Sequence, residues 1–383
     1  MRFFIALADR LAQVLYALLK AVVPSRRKVV LLSRQSDAPS RDFRMLADEL
    51  RSRDASLEVV TRCRMIGGSV WTRAAALPEM FAQMYHLAGA RACIVDGYVI
   101  PVSLLAHRRG TFVVQMWHAL GAFKKFGYQT LDRPGGHSSE LARAMRMHHN
   151  YDVVVCSGPD TVPAYAQAFG TDADVVRPLG LPRLDHLLAL AGDRSAGRLS
   201  PATVDLRRRF PVLADPARTT VLYAPTFRRA GNPGYEAVTD RFAGDRYAVI
   251  VKSHPLETAS ADGSNVVIPQ GHDVLDLLPV CDVVITDYSA VAFEAVAFGV
   301  PVYFFVHDID SYREEYGLNI DPLIDMPDVA SRDIDRIGAW IESGHDPIET
   351  MRRMRMRYLS ALDGQCTERV ADLIMAHVEP VAG

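Results

Sequence analysis

Short runs of β-branched and other apolar residues alternate with helix-like segments along nearly all of the chain after Pro24. The runs are 28–33, 57–61, 92–96, 111–116, 152–157 and 174–176, then 219–223, 247–252, 265–268, 282–286 and 301–305. This alternation is typical of parallel sheets covered by helices on both faces. Because 383 residues suffice for two domains of ordinary size, the pattern predicts an α/β chain with two doubly wound parallel-sheet domains.

Composition marks a boundary between the two series of strands. Residues 192–218 are rich in Gly, Arg, Ser, Pro and Asp, with one short helical pattern at 203–210. We interpret them as a linker between an N-terminal domain, 25–191, and a C-terminal domain, 219–383, which ends in helices. Ligands of such sheets bind beyond the carboxyl ends of the strands. We therefore expect a cleft between the two domains, lined by residues that follow each strand.

Residues 1–24 precede both series. The segment 2–23 is largely apolar, and at 100° per residue its polar side chains share one narrow face: Arg2, Asp9, Gln13 and Lys20, with Arg10 at the edge. Six basic residues against one acidic residue through position 28 favour an amphipathic helix on an anionic membrane surface. A helix packed on its own domain or on a partner subunit is the alternative, and the charges disfavour a membrane span.

Composition and motifs exclude several classes of function. A formal net charge of −2 argues against a surface built for nucleic acid. Five scattered cysteines without a C-x-x-C motif indicate reduced thiols in a cytoplasmic protein rather than a zinc site. The P-loop and Rossmann motifs are absent from the sequence. We see no carboxylate cluster that demands a metal, so no cofactor is required for the chemistry, and Mg²⁺ is possible without being indicated.

The first informative strand end is Trp117-His118, followed by a glycine-containing turn and the pair Lys124-Lys125. An imidazole at a strand end is well placed to act as a general base. The two lysines could hold an anionic group. A histidine that caps a helix in the core is the structural alternative.

Further strand ends carry residues suited to phosphate. Arg183 follows a Gly-Leu-Pro turn, Thr226 and Arg228 follow the run 219–223, and His254 precedes Pro255 at the end of the run 247–252. Arginine forks fit phosphate oxygens, although an Arg–Asp pair would explain Arg183 equally well.

The segment 282–301 passes from strand through a polar turn to a helix and a second strand. Asp287 and Ser289 lie in the turn, and Glu294 lies one to two helical turns further on. Because a helix N-terminus favours anions, Ser289 is expected beside a diphosphate, with an ordinary N-cap as the alternative.

Together these segments resemble the CDP-glycerol glycerophosphotransferase family of teichoic-acid-type polyol-phosphate transferases. The matching motifs are QMWH at 115–118, GAFKKFGY at 121–128, GLPRLD at 180–185, YAPTFR at 223–228, KSHP at 252–255 and TDYSAVAFE at 286–294. The resemblance implies a GT-B fold, a CDP-linked polyol donor, a lipid-linked acceptor and attachment to the cytoplasmic face of the cell membrane.

The resemblance also implies roles for the residues. His118 and His254 would be catalytic, His118 as the base that deprotonates the acceptor hydroxyl. The donor would be bound by a set from the later motifs: Arg183, Thr226, Arg228, His254, Asp287, Ser289 and Glu294. Lys124 and Lys125 would bind the acceptor. The hydroxyl would attack the β-phosphorus and CMP would leave.

Three residues depart from the family pattern: Ala119, Ala290 and Glu294. They leave the polyol open, with glycerol phosphate expected. Two other functions remain as alternatives, a GT-B glycosyltransferase that uses a nucleotide sugar and a degenerate membrane-bound scaffold.

Overall fold

The computed structural model describes residues 2–65, 77–134, 136, 138–226, 228, 233–252, 264–359 and 361–379. The chain divides into two compact units. Unit 1 comprises Met1–Ala119, Phe126–Asp185 and Asp363–Gly383, and unit 2 comprises Leu120–Lys125 and His186–Leu362. Each unit is built on one six-stranded parallel sheet, so the predicted pair of parallel-sheet domains is confirmed.

The strands agree closely with the apolar runs of the sequence. They are β1 Lys28–Ser33, β2 Glu58–Cys63, β3 Ala92–Val95, β4 Phe112–Gln115, β5 Val153–Val155, β6 Val176–Arg177, β7 Thr219–Tyr223, β8 Tyr247–Val251, β9 Val266–Val267, β10 Val283–Thr286, β11 Val302–Phe305 and β12 Ala330–Ser331. Only β12 was not predicted from the apolar runs of the sequence.

The helices cover the faces of the sheets. They are α1 Arg2–Val22, α2 Arg41–Arg53, α3 Leu77–Ala88, α4 Ile100–Leu104, α5 Ser139–Ala144, α6 Val162–Phe169, α7 Pro182–Ser195, α8 Pro201–Arg209, α9 Tyr235–Arg241, α10 Val274–Leu277, α11 Val291–Phe298, α12 Ile309–Glu315, α13 Pro322–Asp325, α14 Ile334–Glu342, α15 Ile348–Tyr358 and α16 Cys366–Val378.

The sheet of unit 1 has the strand order β2-β1-β3-β4-β5-β6. Its central strands are buried on both faces, and β1 pairs in parallel with both β2 and β3. Because all strands run the same way, their carboxyl ends meet at one edge. Arg34, Asp96 and His118 follow β1, β3 and β4 and therefore lie along that edge.

The sheet of unit 2 has the strand order β12-β11-β10-β7-β8-β9. The neighbours β7, β10 and β11 lie in its centre and are nearly completely buried. Thr226, Asp287 and Asp308 follow these three strands. The carboxyl edge of this sheet thus gathers side chains from turns that are far apart in the sequence.

The division of the chain differs from the predicted boundaries in three places. The segment 192–218 is largely structured in unit 2, where α7, α8 and a 3₁₀ turn at Pro211–Ala214 occupy it. The last helix, α16, belongs to unit 1 instead of the C-terminal domain, because the Asp185 carboxylate accepts hydrogen bonds from the backbone N–H groups of Cys366 and Thr367 at 3.0 and 2.7 Å. Leu120–Lys125 belong to unit 2.

Helix α1 packs on unit 1 through Tyr16 and Leu19, which are buried beside Leu87 and Val102. Its polar side chains bond to the same unit: Gln13 Nε2 donates to Leu104 O at 2.8 Å, and Lys20 Nζ donates to Ala106 O at 2.6 Å. The opposite side exposes an apolar row, Leu7, Leu11, Val14, Leu18 and Val22. No helix in the described ranges is long and apolar enough to cross a bilayer.

Candidate functional site

His118 lies just beyond β4 and bonds to the turn after β3. Its Nδ1 is 2.9 Å from Asp96 O. A carbonyl oxygen can only accept, so Nδ1 carries the proton in this contact, and the lone pair of the neutral ring is on Nε2. The imidazole is thereby fixed in the tautomer that a general base needs.

The residue before His118 has an unusual backbone. Trp117 adopts φ +52, the left-handed region that bulky residues rarely enter. Its amide donates to Gln115 Oε1 at 2.8 Å, and its ring stacks on Phe126 at 4.8 Å. Such a conformation costs about 1–3 kcal/mol and occurs preferentially at functional sites. The strain supports the prediction that this strand end is functional.

Asp96 is a buried carboxyl group at the same edge, where the sequence predicts only the end of a strand. The residue is 2% exposed, and its carboxylate forms no ion pair within the described part of the chain. Burial raises its pKa to about 6, and Asp42 adds to the effect, whereas Ser33 and Arg183 oppose it. Its backbone oxygen orients His118, so the turn that holds the candidate base also holds this unpaired acid.

The raised pKa of Asp96 predicts an unusual pH dependence of stability. The carboxyl binds its proton more tightly in the folded chain, with a pKa of about 6, than in the unfolded chain at 3.8. The stabilisation that the folded chain gains from holding this proton is therefore fully present below pH 4, and it is lost as the pH rises through 6. Two pKa units correspond to about 3 kcal/mol.

Asn at position 96 cannot ionise, so we expect Asp96→Asn to keep its stability as the pH rises. At pH 8 its free energy of unfolding should exceed that of the parent by up to about 3 kcal/mol. Urea unfolding at pH 4 and pH 8 measures the difference. Asp48→Asn, at an exposed position on α2, is the matched control. Parallel pH profiles for the parent and Asp96→Asn would contradict the prediction.

The segment after His118 is part of unit 2. Gly121 has φ +58, and a Cβ there would lie 2.1 Å from the Phe293 ring, so only glycine fits this approach to α11. Lys124 pairs with Leu318 in an isolated bridge, and Asn319 Nδ2 donates to Lys124 O at 3.0 Å. The Trp-His pair and the lysine pair, which are close together in the sequence, therefore belong to different structural units.

Lys124 lies within electrostatic reach of Asp287 and Arg228, among the residues predicted to bind the donor. Burial lowers the pKa of Lys124, Arg228 lowers it further, and Asp287 opposes both. Lys125 is half-buried, and its amide donates to Gly317 O at 3.1 Å. A role of these lysines toward the acceptor stays a prediction, and the surroundings of Lys124 favour the donor side.

Asp287 joins two of the strand-end turns of unit 2. Its carboxylate accepts hydrogen bonds from Thr226 N at 2.9 Å and from Thr226 Oγ1 at 2.8 Å. It also accepts from Arg228 Nη2 at 2.8 Å and from Tyr288 N at 2.5 Å. The structure therefore brings together three of the predicted donor residues, Thr226, Arg228 and Asp287, and they bond to one another.

Arg228 extends this network to the turn after β11. Its Nε donates to Asp308 Oδ2 at 2.7 Å, and its guanidinium lies over the stacked rings of Tyr288 and Tyr312. Burial disfavours the charged form, yet Asp287 and Asp308 raise the pKa of Arg228 above its ordinary value. Burial likewise opposes ionisation of Asp308, but Arg228 holds the pKa of that carboxyl below its usual range.

Ser289 and Glu294 flank the start of α11. The helix begins at Val291 with Ala290 as its N-cap, and Ser289 Oγ accepts from Val291 N at 3.4 Å. Ser289 is half-buried at the helix N-terminus, as predicted, whereas Glu294 is 6% exposed within the helix. A polar side chain beside the first-turn N–H groups is suited to an anion.

The remaining predicted residues are placed differently. Arg183 belongs to unit 1, whereas the other described donor candidates belong to unit 2, and its Nε donates to Asp42 Oδ2 at 2.8 Å. This is the Arg–Asp pair that the sequence left open, and donor binding by Arg183 stays a prediction. His254 lies outside the described residues. Among the described residues, no group of three or more His, Cys, Asp or Glu side chains could hold a metal ion.

Asp308 and the pair Tyr288–Tyr312 were missed by the sequence analysis. Asp308 follows β11, and a polar residue just beyond the apolar run 301–305 is the sequence signal that points to it, because ligands bind beyond the carboxyl ends of such strands.

Known proteins match this chain along most of its length. The family model of CDP-glycerol:poly(glycerophosphate) glycerophosphotransferase matches residues 15–376. The chain is 31% identical over 373 residues to the teichoic acid ribitol-phosphate primase of Bacillus spizizenii, covering 94% of each chain. It is 28% identical to the teichoic acid poly(ribitol-phosphate) polymerase of the same organism, covering 98% of this chain and 60% of that one.

The fold is shared with a solved structure. The wall teichoic acid polymerase TagF, in a variant soaked with CDPG, superposes with a TM-score of 0.73 over 98% of each chain, at 16% identity. The chain therefore belongs to the CDP-glycerol:poly(glycerophosphate) glycerophosphotransferase family and is a phosphotransferase.

Proposed function

We propose that the chain transfers a polyol phosphate from a CDP-linked donor to a hydroxyl of a lipid-linked acceptor, with release of CMP. The observation that carries this proposal is the contact of His118 Nδ1 with Asp96 O at 2.9 Å, from which we infer that Nε2 is the basic nitrogen. We also propose a GT-B arrangement of the two units, which the sequence resemblance predicts.

The reaction needs a base and a site that stabilises phosphoryl charge, and the chain carries a candidate for each. His118 Nε2 takes the proton of the acceptor hydroxyl as its oxygen bonds to the β-phosphorus. The bond from that phosphorus to the bridging oxygen breaks, and CMP leaves with the electron pair. Ser289 and the N-terminus of α11 stabilise the phosphoryl oxygens, the main contribution expected for such transfers.

Two polyols are candidates for the transferred group. The sequence resemblance favours glycerol phosphate, and the family to which the chain belongs is named for the same CDP-linked donor. The full-length similarity to a ribitol-phosphate primase favours ribitol phosphate instead. Both require the same base and the same phosphate contacts, so one assay can separate them.

The test offers CDP-glycerol, CDP-ribitol and UDP-sugars to the full chain with vesicles and a lipid-linked acceptor. Acceptor-dependent release of CMP supports the proposal, and the preferred donor identifies the polyol. Release of UDP would instead support a glycosyltransferase. A folded protein that releases no nucleotide with any donor would support the scaffold alternative.

We further propose that α1 binds the cytoplasmic surface of an anionic membrane. The helix uses its polar side chains Gln13 and Lys20 for bonds to unit 1, which leaves its exposed apolar row without a partner in the described chain. Removing the helix would uncover Tyr16 and Leu19. Substitutions in the exposed row are therefore a cleaner test than truncation.

We expect the double variant Leu11→Glu/Leu18→Glu to lose vesicle binding while remaining folded. Burying a leucine contributes about 1.5–3 kcal/mol, so two losses weaken binding at least about 100-fold. Sedimentation with vesicles containing anionic lipid measures the effect. The control places glutamates at Val204 and Ile348, exposed apolar residues on α8 and α15 at 52% and 57%, against 63% and 61% for Leu11 and Leu18. Equal sedimentation of both variants would contradict a role for α1.

A further inference from the structure

Arg34 follows β1 and is a half-buried cation without a counter-ion in the described part of the chain. Its Nη1 donates to Tyr98 O at 3.3 Å, and its Nε is buried without a hydrogen-bond partner. Burial lowers the pKa of Arg34, and the phenol of Tyr98 opposes this. Because burying an unpaired charge is costly, this arrangement is typical of a group that receives an anionic ligand.

The turn after β3 links Arg34 to the candidate base. Three successive carbonyl oxygens of this turn each face a side-chain nitrogen. His118 Nδ1 is 2.9 Å from Asp96 O, Gln115 Nε2 donates to Gly97 O at 3.1 Å, and Arg34 Nη1 donates to Tyr98 O. The guanidinium and the imidazole are therefore fixed to carbonyls only two residues apart.

Two other arginines near this edge of the sheet have acidic partners. Arg183 Nε donates to Asp42 at 2.8 Å. Arg64, which follows β2, lies 3.9 Å from Asp37. The comparison shows that the local fold supplies carboxylates to neighbouring arginines and supplies none, within the described residues, to Arg34.

We propose that Arg34 binds a phosphate group of the acceptor and thereby holds the acceptor hydroxyl near His118. A planar guanidinium binds two phosphate oxygens at once, and the charge of the ligand compensates the buried cation. The acceptor is favoured over the donor because Arg34 shares a turn with the base, whereas the candidate diphosphate contacts belong to unit 2. This inference rests on the proposed function for the identity of the ligand.

The kinetic test compares Arg34→Gln with the control Arg64→Gln, using a water-soluble phosphorylated acceptor without vesicles. A charge-assisted hydrogen bond contributes about 1.5–3 kcal/mol, so the acceptor KM of Arg34→Gln should rise about 10–100-fold. The donor KM should stay unchanged, and Arg34→Lys should recover part of the loss. The Tm of Arg34→Gln should change little, because the substitution removes one long hydrogen bond, from Nη1 to Tyr98 O, and breaks no ion pair within the described chain.

A second readout needs no activity. Titration of the full chain with inorganic pyrophosphate should shift the NMR signal of the Arg34 Nε–H group saturably, identified by its loss in Arg34→Lys. The Arg64 signal should not shift. If the parent releases no CMP but the Arg34 signal shifts, the proposed function fails and the anion site stands.

Three outcomes would overturn the inference. A rise in the donor KM alone would place the donor phosphate at Arg34. A kinetic defect seen only with anionic vesicles would identify a lipid headgroup as the ligand. A lowered Tm with unchanged kinetics and no pyrophosphate-induced shift would make Arg34 a structural residue.

Discussion

Replacement of His118 by Asn is expected to lower kcat by about 10²–10⁴-fold, the usual contribution of a general base. The Asn side-chain amide can still donate to Asp96 O, as Nδ1 does, but it has no basic nitrogen. Binding of the CDP-linked donor should therefore be unchanged. Calorimetry of donor binding and the rate of CMP release, measured on the same preparation, separate the two effects.

The control for this variant is His149→Asn, the same change at an exposed histidine of unit 1. It should retain the parental rate. If His118→Asn lost donor affinity in proportion to rate, the residue would be a donor ligand. If the remaining activity of His118→Asn still fell at low pH as it does in the parent, the general base would be another group.

Replacement of Asp287 by Ala is expected to destabilise unit 2 by about 3–5 kcal/mol, because it removes one partner of a buried ion pair. Both side chains are almost inaccessible, with Asp287 at 1% and Arg228 at 4% exposure. The change also leaves the amides of Thr226 and Tyr288 without their acceptor. Urea unfolding measures the loss, and donor affinity should fall with it because two turns lose their connection.

Thr226→Val provides a variant that should fold. It removes a single hydrogen bond, from Oγ1 to the Asp287 carboxylate, and should cost about 1 kcal/mol. Asp310→Ala, at an exposed carboxylate paired with Arg332, is the control and should change stability little. If Asp287→Ala and Asp310→Ala had the same free energy of unfolding, the bonds to the Asp287 carboxylate would not hold together the turns that carry Thr226 and Asp287.

Much of the candidate site could be predicted because strand ends are a local property of the sequence. A run such as 282–286 shows its strand by composition, and the residues after it must lie at the carboxyl edge of a parallel sheet. His118, Thr226, Asp287 and Ser289 were found in this way, and each lies at such an edge in the structure.

Side-chain partners could not be predicted in the same way, because they come from distant parts of the chain. Arg228 bonds to Asp308, 80 residues away, and Arg183 bonds to Asp42, 141 residues away. The same limit applies to Lys124, which follows the Trp-His motif in the sequence and lies within electrostatic reach of Asp287 in the structure.

Short-range patterns in the sequence were enough to predict the two parallel sheets, the strand ends that carry polar residues and the family of the chain. The folded chain was needed to show that α16 belongs to unit 1, that Asp96 is buried with a raised pKa and that Arg34 has no acidic partner among the described residues. Burial and counter-charge depend on which elements pack together, and packing is settled by contacts that no local pattern contains.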